Sequence, residues 1–148
     1  MNRKGITLIE LVVVMVIIAI GAVLLVPNIG AWLPNYRLRS AARDICSTMR
    51  TAQIKAVSTN TVYQVEFDVA GRSYILQVQT TAGFKDDGAR QSLPKGVDFV
   101  SASFSGGVPR ATFSPNSTAS SGSVVLKNTK GAQKKITVNA ATGRTYIE

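Results

Sequence analysis

Residues 4–11 read Lys-Gly-Ile-Thr-Leu-Ile-Glu-Leu and begin an apolar segment that dominates the first part of the chain. Across residues 6–26, only Thr7 and Glu10 carry polar side chains. As a helix rising about 1.5 Å per residue, this segment would be about 31 Å long, close to the ~30 Å hydrocarbon core of a bilayer. Two basic residues precede it. The sequence therefore predicts a membrane-spanning helix with its short N-terminal end in the cytoplasm and the rest of the chain exported.

Glu10 is the residue of this segment that requires a physical explanation. A carboxylate near the centre of a membrane helix costs about 2.5–3.5 kcal/mol and usually indicates a partner or a function. No basic residue follows it within helical reach, so the segment offers no counter-ion of its own. A cationic group from another chain, such as a free α-amino group, would neutralise it. A cut between Gly5 and Ile6 would create that amine at a similar depth.

The segment Gly-Ile-Thr-Leu-Ile-Glu at residues 5–10 resembles the class III signal of type IV prepilins and type II secretion pseudopilins. In that family, a membrane-embedded prepilin peptidase cuts after the glycine and N-methylates the new first residue. The resemblance implies cleavage between Gly5 and Ile6, methylation of Ile6, and an assembly role for Glu10. It also implies a helix kink at Pro27. An ordinary signal anchor would explain the flanking charges and the apolar run, but neither the carboxylate nor the short glycine-ended leader.

Composition limits the chemistry that this chain can perform. It has 17 basic and 8 acidic residues, a net charge of +9, one cysteine and no histidine. The charge is compatible with anionic partners, whereas the lone Cys46 excludes an intramolecular disulfide. His-dependent triads and His metal sites are excluded. Asp86-Asp87-Gly88 lacks the spaced oxygen ligands of a calcium loop. We therefore predict no catalytic residues, no metal, no cofactor and no enzymatic activity.

After a linker at residues 27–35, which contains two prolines and is predicted to kink or loosen the helix, residues 36–58 have a strong helical pattern. Apolar residues at spacings of four and three form one seam, namely Leu38, Ala42, Ile45, Met49, Ala52 and Ala56. Arg39, Arg43 and Arg50 form a basic stripe on another face. Its alternative interpretations are a solvated face, a phosphate contact or a charged subunit contact.

Residues 61–148 are predicted to be rich in β-strands, because apolar and polar residues alternate between turn signals. The predicted strands are residues 62–68, 74–79, 97–104, 111–113, 123–127, 134–139 and 144–147, and residues 80–92 are predicted to be a polar loop. The predicted fold class is α+β, with a long N-terminal helix packed on a C-terminal antiparallel sheet domain. The domain prediction is a leader at 1–5, a membrane and filament-core helix at 6–26, the linker, and an exported pilin-like domain at 36–148.

The order of these elements is similar to the GspH/FimT group of minor pseudopilins and minor pilins. The resemblance rests on the long helix, on Val65-Glu66-Phe67 with its hairpin, on Phe113-Ser114-Pro115, and on Gly143-Arg144. It implies a structural subunit that is held in the bacterial inner membrane with its C-terminal domain in the periplasm. The subunit would then join a type II secretion pseudopilus or a type IV pilus. The implied partners are the prepilin peptidase, other subunits and the inner-membrane assembly platform.

An alternative function is DNA binding in natural transformation, as in some FimT proteins. Their motif resembles Gly-Arg-x-Arg, and Gly143-Arg144-Thr145-Tyr146 keeps the first arginine but has tyrosine in place of the second. The candidate DNA-binding residues cluster near this motif in the sequence, namely Lys127, Lys130, Lys134, Lys135 and Arg144. Such a patch would contact phosphates without reading sequence, so its binding would be salt-sensitive.

Overall fold

The computed structural model of the chain describes residues 6–25 and 29–148, and it divides into two units, Met1–Leu33 and Pro34–Glu148. Gly5 and Pro27, for which cleavage and a kink are predicted, lie outside the described residues. Within these described residues, two helices precede nine strands. Helix α1 comprises Leu8–Leu25 and helix α2 comprises Ile29–Thr59. The α+β class predicted from the sequence is confirmed.

Helix α1 begins after Thr7, which acts as its N-cap. The backbone N–H of Glu10 donates to the Thr7 carbonyl at 3.1 Å and to the Thr7 hydroxyl at 3.4 Å. A Thr side chain in this position satisfies one of the unpaired amides of the first helical turn. Over the residues that the structure describes, no helix combines the length and hydrophobicity that a membrane crossing requires.

Helix α2 starts earlier than the predicted residues 36–58 and includes part of the predicted linker. Pro34 lies inside it, near its N-terminal end, where the missing N–H removes one helical hydrogen bond. The next residue anchors this turn, because the Asn35 side-chain oxygen accepts a hydrogen bond from the Asn128 amide at 2.7 Å. A tertiary contact of this kind overrides a local helix-breaking signal.

The strands form two antiparallel sheets. Their bounds are β1 Tyr63–Asp68, β2 Ser73–Thr80, β3 Gly83–Asp86, β4 Gln91–Ser92, β5 Val97–Phe104, β6 Arg110–Phe113, β7 Gly122–Asn128, β8 Gln133–Val138 and β9 Thr145–Ile147. The first sheet has the order β3-β2-β1-β6, with β4 also paired to β2. The second sheet has the order β5-β7-β8-β9, with a register shift between Phe99 and Ser101.

The predicted strands are found close to their expected positions, but the prediction of a loop over residues 80–92 is wrong. Strands β3 and β4 occupy part of it and pair with β2. All four residues of β3 and both residues of β4 are exposed. An edge strand without a buried face shows no alternation of apolar and polar residues, so periodicity could not reveal it.

The core is formed where the apolar seam of α2 meets both sheets. The six predicted seam residues are at most 3% exposed, which confirms the helical periodicity. Phe67 on β1 is the aromatic centre of this core. Its ring centroid lies 6.2 Å from that of Tyr74 on β2. It lies 5.9 Å and 5.8 Å from the rings of Phe99 and Phe104 on β5, so it joins the two sheets.

Replacing Phe67 by Ala tests the packing of this core. Phe67 is 2% exposed, so the change should leave a cavity and lower the free energy of unfolding by about 3–5 kcal/mol. The matched control is Phe84→Ala, because Phe84 is 40% exposed on β3 and should lose less than about 1 kcal/mol. The measurement is urea unfolding of the full chain in detergent. Equal losses for both variants would contradict the packing described here.

Tyr74 is expected to make the stability of the folded domain decrease at high pH. Its hydroxyl donates to the Gln91 side-chain oxygen at 2.7 Å, and burial, followed by the charge of Asp44, raises the pKa of Tyr74 to about 12. The folded state therefore keeps the proton that the unfolded chain loses near pH ~10. Stability from this group should be complete below about pH 10 and decline as the pH rises toward about 12.

Urea unfolding at about pH 9 and about pH 11 measures this effect. The wild-type chain should lose more stability between the two pH values than Tyr74→Phe, which has no phenol to titrate. The same pH dependence in Tyr74→Phe and wild type would rule out Tyr74 as the cause.

Candidate functional site

The N-terminal candidate residues lie at the start of α1. Ile6 lies two residues before the first residue of the helix and is 76% exposed, and Glu10 lies in the first helical turn. The pair Thr7 and Glu10 has the spacing of a capping box, in which a Glu three residues after the cap supports the helix start. The Thr-x-x-Glu pattern is visible in the sequence, but the capping role of Thr7 was not predicted from it. The contact that the structure shows is the one from the Glu10 backbone N–H to Thr7.

Glu10 has no counter-ion within the described part of the chain. Among residues 6–25 and 29–148, the ion pairs are Lys55 with Asp87, Arg72 with Asp98, and Lys135 with Glu148. The rest of α1 is uncharged, and its apolar side chains up to Ile20 are mostly about half exposed or more. A helix that is apolar on every side requires surroundings that cover it. The helix thus presents one charge and a long apolar surface.

The structure distributes the predicted DNA-binding residues over several surfaces. Arg144 lies beside α2, in a groove that also contains Arg50. Lys134 is half-buried next to Arg39 and Arg43. Lys135 forms an ion pair with Glu148 at 3.8 Å, which uses part of its charge locally.

The other two candidate lysines, Lys127 and Lys130, lie in the β7–β8 hairpin. Lys127 is exposed near the end of β7, between the buried residues Leu126 and Asn128. Lys130 lies in the turn, where its backbone N–H donates to the Asn128 side-chain oxygen at 2.9 Å. The sequence cluster is therefore not a single groove-lining patch. Arg144 shares one groove with Arg50 of α2, and Lys134 shares a different pocket with Arg39 and Arg43 of α2.

The groove beside Arg144 has a volume of about 860 Å³ and lies between α2 and the C-terminal strand β9. From α2 it is lined by Arg50, Ile54 and Val57, and from the other side by Arg144 and Tyr146. Ile54 is 62% exposed and Val57 is 48% exposed. Its lining therefore combines the apolar side chains of Ile54 and Val57 with polar residues and one arginine from each side.

Gly143 allows the turn before β9 to approach α2 closely. Its φ of +63° lies in the left-handed region, and an added Cβ would lie 2.6 Å from the Gln53 side-chain nitrogen. The same Gln53 amide donates to the Thr142 carbonyl at 2.8 Å. A glycine is needed both for this backbone conformation and for this contact. Gly143 and Gln53 together thus hold Arg144 beside the helix.

The exposed side of α2 continues this groove along the helix. At about 100° per residue, Arg39, Arg43, Arg50, Ile54 and Val57 fall within about 60° of arc, roughly 125° from the centre of the buried seam. All five are exposed. We call these five residues together with Arg144 the arginine face. Its three helical arginines were predicted from the sequence as a basic stripe. Ile54 and Val57 were not, although their spacing of four and three after Arg50 was the available signal.

Cys46 lies on α2 next to β9. Its thiol is 3.8 Å from the Thr145 carbonyl, and burial raises the pKa of Cys46 although the charge of Arg50 opposes the shift. A raised pKa leaves little thiolate at neutral pH, so this cysteine is a poor nucleophile. It behaves as a small packing residue between the helix and the edge strand.

The carboxylates of Asp86 and Asp87 both bond to other residues of the same chain. Asp87 pairs with Lys55 at 2.7 Å, and Asp86 accepts a hydrogen bond from the Gln77 amide at 2.8 Å. Across the described residues, no three His, Cys, Asp or Glu side chains come close enough to hold a metal ion. These carboxylates fasten the β3–β4 segment to the helix and to β2.

Comparison with known families gives two matches that together cover most of the chain. Residues 1–26 match the family described as "Prokaryotic N-terminal methylation motif". Residues 41–142 match the family described as "Type II transport protein GspH". A search of curated protein sequences found no match.

Solved structures of two bacterial proteins share the fold. The minor pseudopilin EpsH from the type 2 secretion system of Vibrio cholerae is 13% identical, with a TM-score of 0.64 over 76% of this chain and 96% of that one. The type IV minor pilin FimU of Pseudomonas aeruginosa is 16% identical, with a TM-score of 0.60 over 77% of this chain and 90% of that one. Both likenesses confirm the predicted pilin-like fold.

The family matches agree with the geometry of the chain. A capped apolar helix with one carboxylate precedes a helix-and-sheet domain whose only thiol is a poor nucleophile. The chain belongs to the GspH family and is a GspH-like minor pseudopilin, a structural subunit and not an enzyme.

Proposed function

We propose that this chain is made as an inner-membrane precursor and becomes a subunit of a type II secretion pseudopilus or a type IV pilus. In the precursor, the leader at residues 1–5 is cytoplasmic, residues 6–26 anchor the chain, and residues 36–148 lie in the periplasm. A prepilin peptidase cleaves between Gly5 and Ile6 and methylates Ile6. The match of residues 1–26 to the methylation motif supports this order of events.

The observation that carries the proposal is the all-round apolar surface of α1 with a single carboxylate near its start. Lipid covers such a surface before assembly, and neighbouring helices cover it in a filament. Ile9, Val13 and Ile17 are each more than half exposed in the isolated chain, so they are available for these contacts. Burial of apolar surface at about 25 cal/mol per Å² then favours helix packing once the subunit leaves the lipid.

Glu10 determines the axial position at which α1 of one subunit packs against its neighbours. Because the described residues provide it with no counter-ion, its carboxylate is stabilised when a neighbouring subunit offers a cation. The free α-amino group of a cleaved Ile6 has the required charge. A subunit displaced along the helix axis would leave the carboxylate unpaired in an apolar environment, which is costly. The inner-membrane assembly platform would move the subunit into this position.

DNA binding in natural transformation is the second candidate function. The observation in its favour is that Arg144 and Arg50 share one groove, so two cations could contact neighbouring phosphates. The observation against it is that none of the candidate lysines lines this groove, and that Lys134 lines a different pocket with Arg39 and Arg43. The structural role therefore remains the function that the geometry supports best.

The assembly role is tested with Glu10→Gln in a host that makes the other filament subunits. Gln keeps the capping geometry at this position but removes the charge, so helix formation and membrane insertion should be unchanged. Incorporation should fall about tenfold or more, because the charge pair with the neighbouring amine is lost. The amount of chain in sheared filaments, relative to the amount in membranes, measures this.

Two controls make the result interpretable. The intact mass of the chain shows whether residues 1–5 are removed and Ile6 is methylated in both the wild type and the variant. Glu66→Gln is the matched control, since it makes the same chemical change on β1 and should leave incorporation unchanged. Wild-type recovery of Glu10→Gln in filaments would exclude the proposed role of the carboxylate.

A further inference from the structure

We infer that the arginine face is the docking surface for a carboxylate-bearing apolar segment of a different filament subunit. This inference rests on the proposed function, because it names the kind of partner that the subunit meets in a filament. It assigns a binding role to Arg50, Ile54, Val57 and Arg144 in addition to the packing of α1.

The apolar component of the face is unusual for a solvated helix surface. Ile54 and Val57 lie one turn apart and are 62% and 48% exposed, and Tyr146 beside them is 45% exposed. Contiguous exposed apolar residues with a polar rim are typical of protein interaction sites. These side chains line one groove of about 860 Å³, so a single apolar segment could cover them together.

The arginines of the face favour a partner that carries negative charge. Arg50 and Arg144 approach the groove from opposite sides, and none of the described residues that line it is acidic. Arg39 and Arg43 extend the same sign along the helix and meet Lys134 there. Arginine can pair with a carboxylate through two hydrogen bonds, which fixes the orientation of a partner. Carboxylates flanking an apolar stretch would therefore complement the face.

A second copy of this chain is a poor occupant. Symmetric packing would place the arginines of two copies against each other, and like charges at an interface cost several kcal/mol. The carboxylates of a second copy are largely committed elsewhere. Asp87, Asp98 and Glu148 are paired with cations of their own chain, and the proposed function places Glu10 of α1 against the α-amino group of a neighbouring subunit. The face thus favours a different subunit, which would limit how many copies of this chain follow one another.

A protein partner also fits better than DNA. Phosphates would satisfy Arg50 and Arg144 but would leave Ile54 and Val57 uncovered, because a phosphate backbone offers no apolar surface. Of the candidate lysines, only Lys134 shares a pocket with arginines of the face, and none of them lines the groove of Arg50 and Arg144, whereas a track of contacts is usual for backbone binding. An apolar segment with carboxylates satisfies both components of the face.

The first experiment compares three chains in a host that makes all other filament subunits. Arg50→Glu and Lys127→Glu change the net charge equally, but only Arg50 belongs to the arginine face. We expect Arg50→Glu to lower recovery in sheared filaments about tenfold or more and Lys127→Glu to change it less than about twofold. Membrane levels and intact mass show that each chain is made and processed.

The outcomes separate this inference from the proposed function. Absence of the wild-type chain from filaments would overturn the proposed function. Presence of the wild type together with equal recovery of Arg50→Glu would overturn the inference alone. Equal losses in Arg50→Glu and Lys127→Glu would also overturn it, because they would indicate a general effect of charge.

The second experiment distinguishes the class of partner with the full chain in detergent. The probes are an amphipathic peptide of Leu and Glu, the same peptide with Gln in place of Glu, and a duplex DNA. We expect the Glu peptide to bind most tightly, and Arg144→Glu and Ile54→Ala each to weaken it severalfold. Tighter binding of DNA, lost in Arg144→Glu but kept in Ile54→Ala, would overturn the inference in favour of a phosphate-binding surface.

Discussion

The packing of one side of α2 against both sheets is the contact on which the rest of the domain depends. Ile45, Met49 and Ala52 are fully buried in it, and small alanines allow the strands to approach the helix closely. Phe67 then connects the two sheets through rings of β2 and β5. No disulfide assists this packing, since the only cysteine is Cys46. Stability must therefore come from the shared core.

The same helix divides the molecule into an internal and an external side. Because the seam is fixed by the core, the opposite side must face outward, and it carries Arg50, Ile54 and Val57. Gln53 lies between the two sides and holds the Thr142 turn, which places Arg144 beside the helix. A folding constraint thus determines the position of the surface that is available to partners. The function of the chain follows from surfaces that folding leaves uncovered, on α1 as well as on α2.

Much of this arrangement could be predicted from the sequence, because periodicity reports burial. The seam from Leu38 to Ala56 and the strands around Val65 and Leu126 have one buried face, and the sequence showed them correctly. Strand β3 has none, so it was missed. The extension of α2 through Pro34 depends on the Asn35–Asn128 contact, which joins residues far apart in sequence. The groove was missed for the same reason, since Arg50 and Arg144 meet only in three dimensions. The capping role of Thr7 is local and was readable from the sequence.

The central claim is that the outward side of α2 becomes covered when this subunit enters a filament. Cysteine labelling tests it most directly, with Ile54→Cys placed in a full chain carrying Cys46→Ser. A polar maleimide should label this variant in detergent-dispersed subunits and label it at least about tenfold more slowly in intact filaments, because burial excludes the reagent. Val100→Cys, on the exposed side of β5, should be labelled in dispersed subunits and serves as the reference. Equal labelling of Ile54→Cys in filaments and in dispersed subunits would contradict the account.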